Sequence, residues 1–142
     1  MELWLIYALL SAITAAFVAI FGKIGLQGID SGAATAIRAV IMAIFLTGVA
    51  LFQGKGELIQ NIVRDRRALL WIALSGIAGA LSWLFYFLSL KYGKVSQVAP
   101  VDKLSVVIAA VLAVIFLHER ISFIASGGIV MITAGVILVA LG

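Results

Sequence analysis

Five runs of about 20 apolar residues, joined by connections of mostly four to six residues, constrain this chain more than any other feature. The first, LWLIYALLSAITAAFVAIFGKIGL, extends from Leu3 to Leu26 with no interior charge before Lys23. The other four cover about 31–52, 68–90, 96–117 and 122–141. With 65% hydrophobic and 11% charged residues in 142, a water-soluble globule would leave much of this apolar surface uncovered, so the solvent that fits is lipid. Unbroken apolarity over this length predicts helices, since a barrel strand would alternate over roughly 10 residues. The expected fold class is therefore an all-α integral membrane protein with five transmembrane helices, forming one transmembrane domain over 1–142.

The connections QGIDSG, KYGKVS and HERI are short, and Gly28, Gly32 and Gly93 give them turn flexibility. Only GELIQNIVRDRR is longer. It places Leu58, Ile59, Ile62 and Val63 at helical spacing before Arg64, Arg66 and Arg67. That pattern predicts a short interfacial helix over about 57–66, lying on the membrane, with a disordered loop as the alternative. Met1-Glu2 followed at once by apolar residues lacks the positive start and cleavage site of a secretory signal, so the first run is expected to be retained.

The formal net charge of +4 does not indicate a nucleic-acid partner, because the basic residues sit mostly in the short connections, where they act as topology signals. Lys55, Arg64, Arg66, Arg67 and Arg120 fall on the side of the N-terminus, and Lys23, Lys91 and Lys94 on the other. Five against three orients the N-terminus toward the cytoplasm of an inner (plasma) membrane, and the small difference is compatible with insertion both ways. There is no cysteine, hence no disulfide, thiolate metal site or thiol nucleophile. His118 and Glu119 at a membrane edge make no metal site. No nucleophile stands beside a base, so neither an enzyme nor a cofactor is expected.

Polar groups inside spans mark functional candidates by their cost. Arg38 lies about seven residues into the second span and Asp102 about six into the fourth, roughly 10 Å along helices that start from the same side. Lys103 shares that depth and Lys23 approaches it from the end of the first span. Asp102, the sole carboxylate in a span, shares a helical face with Ser105, Val106, Ala109 and Ala113, a mostly small face suited to the bundle interior. Two readings stand for it: a static ion pair with Arg38 or Lys23, or part of a substrate or ion path. Lys103 falls on a different face, from which it can snorkel to headgroups. Pro100 is either tolerated in the first turn of the fourth helix or opens an irregular segment.

In the third span Trp83, Tyr86 and Phe87 follow at offsets of three and four, with Ser82 and Ser89 nearby. Ordinary packing is one reading, and a stacking wall for an organic substrate the other. Trp4, Tyr7, Trp71 and Tyr92 lie near span ends as interfacial anchors. Ala12 with Ala16, Gly76 with Ala80, and Gly128 with Gly135 are small-residue pairs expected to allow close helix contacts within or between chains.

APVDKLSVVIAAVLAVIFLHERIS and GGIVMITAGVILVALG together resemble the end of an EamA-type repeat of the drug/metabolite transporter superfamily, with Pro100, Glu119, Gly127, Gly128 and Gly135 in the family's places. FGKIGL and ATAIRAV, carrying Lys23 and Arg38, are similar to its first-helix end and second-helix start. Members typically hold two such repeats, inverted relative to each other, around a substrate path. One repeat here implies a partner, and the near-balanced charges permit an inverted, dual-topology homodimer. The related small multidrug resistance family uses a glutamate in its first helix. Here the first span offers only Ser11 and Thr14, leaving Asp102 as the interior carboxylate that could substitute.

The expected function is a small-molecule transporter that works by alternating access as a dimer of five-helix repeats. Trp83 and Tyr86 would line the path, and Asp102 with Arg38 would form a charge pair at its mouth or gate. The excess of Lys23, Arg38 and Lys103 over Asp102 leans toward an anionic or zwitterionic metabolite. The alternative is a non-transporting membrane scaffold or subunit that pairs with another membrane protein.

Overall fold

The computed structural model describes residues 3–142. Every regular element among them is an α-helix: α1 (Leu3–Gly25), α2 (Ser31–Phe52), α3 (Gly56–Arg64), α4 (Arg66–Tyr92), α5 (Val95–Asp102), α6 (Leu104–Leu117) and α7 (Phe123–Leu141). α1, α2, α4, the α5–α6 run Val95–Leu117, and α7 are long and apolar enough to cross a membrane.

Helix boundaries follow from local capping chemistry. α1 runs into a turn through Gly28, whose φ of 73° suits a residue without a Cβ. Asp30 then caps α2 by accepting a 2.9 Å hydrogen bond from the Ala33 amide. α4 begins at Arg66, ahead of the apolar run, because the Asp65 carboxylate accepts from the amides of Arg67 at 3.0 Å and Ala68 at 3.2 Å. Ser122 caps α7 through the Ala125 amide at 3.2 Å. α6 ends in a left-handed residue, His118, and the Glu119 amide reaches back to the Ala113 carbonyl at 3.3 Å. The Thr14, Thr35 and Thr133 hydroxyls donate to carbonyls one turn back, so each is satisfied within its own helix.

The segment expected as the fourth span is interrupted. Pro100 lies inside α5 and has no N–H to give the Ser96 carbonyl, and its ring crowds that carbonyl. Three residues later the ladder tightens: the Lys103 amide donates to the Pro100 carbonyl at 3.0 Å and the Val106 amide to the Lys103 carbonyl at 3.0 Å. Lys103 itself belongs to neither helix.

The described residues group into two compact units. One comprises Phe21–Lys91, and the other the residues up to Ile20 together with Tyr92–Gly142. In the second, α7 packs on α5 and α6, with Val136 buried. In the first, Leu26, Phe87 and Leu90 are buried where the last turn of α1 meets the second half of α4. The Phe87 ring lies so close to Gly22 that a Cβ there would be well inside van der Waals contact of its Cε1, with Cζ at 3.2 Å and Cδ1 at 3.3 Å.

Candidate functional site

Two backbone distances bring the Arg38 site together. Arg38 stands seven residues after the start of α2, about 10 Å along it, and Trp83 nine residues before the end of α4, about 13 Å back from it. If α2 and α4 cross in succession, they run in opposite directions, and these two ends share a side and the side chains a depth. The Arg38 guanidinium lies over the Trp83 ring, 3.7 Å from its centroid, and 5.1 Å from that of Phe87. Tyr86 completes the cluster, edge-on to Trp83 at 5.7 Å and to Phe87 at 5.9 Å, while Trp83 and Phe87 stack at 5.8 Å with planes 29° apart. Offsets of three and four put the three rings on one face of α4.

Arg38 is half-buried. A guanidinium removed from water needs compensation, and the negative face of an indole supplies roughly 0.5–2 kcal/mol of it. Stacking uses the flat face and leaves the N–H edge, the part that holds carboxylate or phosphate bidentately. Within residues 21–91 no carboxylate is paired with that edge. Beside it an open groove of about 590 Å³ runs between α2 and α4. Arg38 and Trp83 line it with Gly32, Ala36, Ala39, Gly76, Gly79 and Ala80, and Met42, Ile77 and Leu84 add apolar wall. The small side chains are what leave room for the groove, and its size falls in the range of ligand sites.

Lys23 is placed one residue beyond Gly22, and its ammonium donates to the Leu90 carbonyl. That carbonyl belongs to the last turn of α4, where carbonyls lack helical partners and a cation meets the negative end of the helix dipole. Lys23, Lys91, Gln27 and Asp30 also line a second cavity, of about 470 Å³, at the α1–α2 turn.

Asp102 and Lys103 lie in the other unit, where the Lys103 ammonium sits 3.2 Å from the Asp102 carboxylate. Neighbours in a continuous helix point about 100° apart and do not meet. The interruption at Lys103 removes that restriction and lets the pair form. Gly76 lines the groove, whereas a Cβ added at Gly76, Gly128 or Gly135 would meet nothing within 4 Å. Within its own unit, each of these glycines therefore leaves its face open. Among the described residues there is no cluster of three His, Cys, Asp or Glu side chains able to hold a metal.

Sequence reasoning singled out Arg38, Trp83 and Tyr86 separately but did not pair Arg38 with the indole. It also passed over Gly22, although a glycine next to Lys23 inside an apolar run was a visible sign of close approach.

The model of the EamA-like transporter family matches residues 2–141. An uncharacterized transporter in the cobO 3′ region of a Sinorhizobium species is 40% identical over 137 residues, which cover 96% of each chain. No solved structure matches the chain significantly.

Proposed function

We propose, for a chain that belongs to the EamA-like transporter family and is a multi-pass membrane protein, that Arg38 and Trp83 form the anion-recognising part of a substrate path. The observation that carries this reading is the guanidinium held flat on an indole beside an open groove, with its N–H edge unclaimed by any carboxylate of residues 21–91. Such a site suits a small organic anion or zwitterion. Its carboxylate would meet the guanidinium edge, and its apolar body would lie along the Gly/Ala floor between α2 and α4. Tyr86 holds the edge of Trp83 and keeps the indole in place for the guanidinium.

The working unit in this proposal is a dimer of two five-helix repeats in inverted orientation, one rocking against the other. The open glycine positions Gly128 and Gly135 support it, as faces that a second copy would cover. Asp102, Lys103 and Lys23 would act at the ends of the path: Asp102 as the group whose pairing changes during the cycle, and Lys23 as an attraction for anions at its mouth. α3 would lie in the membrane plane.

The test is transport by purified protein in proteoliposomes, with benzoate, phenylalanine, glutamate and tetraphenylphosphonium as probes. Flux of an anionic or zwitterionic probe that is lost in Arg38→Gln and reduced in Trp83→Leu is the expected result. Flux of tetraphenylphosphonium alone, or flux indifferent to Arg38→Gln, would overturn the anion reading. For the dimer, Lys55→Cys and Lys94→Cys are labelled separately in intact cells with an impermeant thiol reagent. The chain has no cysteine of its own, so the background is clean. Labelling of both variants is expected, and labelling of one alone would reject the inverted homodimer.

A further inference from the structure

α3 and the first turn of α4 form an elbow whose two surfaces have different needs. Around α3, Leu58, Ile59, Ile62 and Val63 fall within an arc of about 140°, and Glu57, Gln60, Asn61 and Arg64 fill the rest. All four apolar side chains are exposed. Nine residues with so sharp a division have the pattern of a helix that seats its apolar face in the acyl boundary and keeps its other face among headgroups.

The basic residues are concentrated at the bend. Lys55 precedes α3, Arg64 ends it, and Arg66 and Arg67 open α4. Two acidic residues share the segment, but neither forms an ion pair with these cations. Asp65 is committed to the Arg67 and Ala68 amides, where it caps α4. Glu57 sits in the first turn of α3, at the favourable end of that helix dipole. Within residues 21–91 none of Lys55, Arg64, Arg66 and Arg67 is ion-paired with a carboxylate. Three guanidinium groups within four residues therefore stand at this bend with no carboxylate of residues 21–91 paired to them.

We propose that the α3–α4 elbow is a binding site for the phosphate groups of anionic phospholipids. The apolar face of α3 sets the elbow at headgroup depth, and Arg64, Arg66 and Arg67 then reach phosphate oxygens in the bidentate geometry that guanidinium favours. A neutral bilayer satisfies the apolar face alone, whereas an anionic one satisfies both. This site is separate from the Arg38 groove and does not depend on transport.

Trp71 reports on it directly, one turn beyond Arg67 on the same side of α4 and exposed. In Trp4→Phe/Trp83→Phe it is the remaining tryptophan of three. This protein is reconstituted in phosphatidylcholine vesicles containing an equal fraction of brominated phosphatidylglycerol or brominated phosphatidylcholine, and Trp71 quenching is compared. A Lys or Arg close to an anionic surface favours it by about fivefold, so a phosphatidylglycerol preference of that order is expected. It should vanish in Arg64→Gln/Arg66→Gln/Arg67→Gln and weaken at 1 M salt, where screening shortens to about 3 Å. Equal quenching by the two lipids, or a preference that survives the triple substitution, would overturn the proposal. So would absence of quenching by either, which would mean that protein covers the elbow. Inorganic phosphate is expected to leave the preference intact, and displacement by it would reassign the site to a soluble anion. If Trp83→Phe disturbs folding, native mass spectrometry of the chain with all its tryptophans, from mixed micelles, replaces the quenching. More phosphatidylglycerol than phosphatidylcholine should stay bound, and the excess should be lost in the triple variant.

Discussion

Gly22→Ala is the most direct probe of the packing beneath the Arg38 site. The new methyl would overlap the edge of the Phe87 ring, which must retreat by well over 1 Å to recover an ordinary carbon–carbon separation of about 3.5–4.0 Å. Phe87 is only 4% exposed, so it has little free space to turn into. Its ring stacks on Trp83 and lies 5.1 Å from the Arg38 guanidinium, so the displacement is passed to both. Overpacking of this kind costs about 1–3 kcal/mol. Replacing a helical glycine by alanine returns up to about 1 kcal/mol of propensity, leaving a net loss of roughly 1–2 kcal/mol. Gly25→Ala is the matched control, one turn on in α1 with nothing within 4 Å of its added Cβ. The control shares the propensity gain, so thermal unfolding in detergent should place Gly22→Ala about 2–12 °C below Gly25→Ala. In a double-mutant cycle with Phe87→Leu the two losses should be less than additive by at least about 0.5 kcal/mol, because the smaller side chain leaves room for the methyl. Equal melting of the two alanine variants, or strict additivity with Phe87→Leu, would refute the packing argument.

Asp30→Ala removes the side-chain acceptor at the start of α2 and should cost about 0.5–2 kcal/mol in the same unfolding assay, with Asp30→Asn nearly neutral. Pro100→Ala restores the amide that the Ser96 carbonyl lacks, so spin labels placed on α5 and α6 should report a straighter and less variable connection. Asp102→Asn removes the ion pair with Lys103; under the role proposed for Asp102, uptake of a transported anion should fall, and unchanged uptake would exclude it from that role.

The positions of the spans are legible in the sequence because lipid imposes one requirement on every residue of a run, and a run of about 20 apolar residues meets it visibly. Asp65 and Ser122 were not read as caps, although each acts on amides only two or three residues away. Partnerships between spans are not legible in this way. Arg38 and Asp102 each lie about 10 Å from the start of their sequence runs, and such a spacing does not say which neighbour a side chain faces. The ring that stacks on Arg38 comes from α4, nine residues before its end. The ion pair between Asp102 and Lys103 was hidden by the assumption of an unbroken helix, which assigns the two to different faces. Pro100 was the visible warning. Its effect appears not at its own position but at Lys103, where the hydrogen-bond ladder changes step.

Among the described residues five helices are able to cross, an odd number, and parity has a consequence for how such a set can be duplicated. If each crosses once, every further copy joined head to tail begins on the face where its predecessor did not. A tandem fusion through a short polar linker would therefore set the second half upside down by counting alone, with no help from loop charges. Once fused, each half would be free to accumulate its own lysines and arginines and to diverge, because its orientation would be inherited from the half before it. A four- or six-helix unit would have no such route and would need an added crossing in its linker.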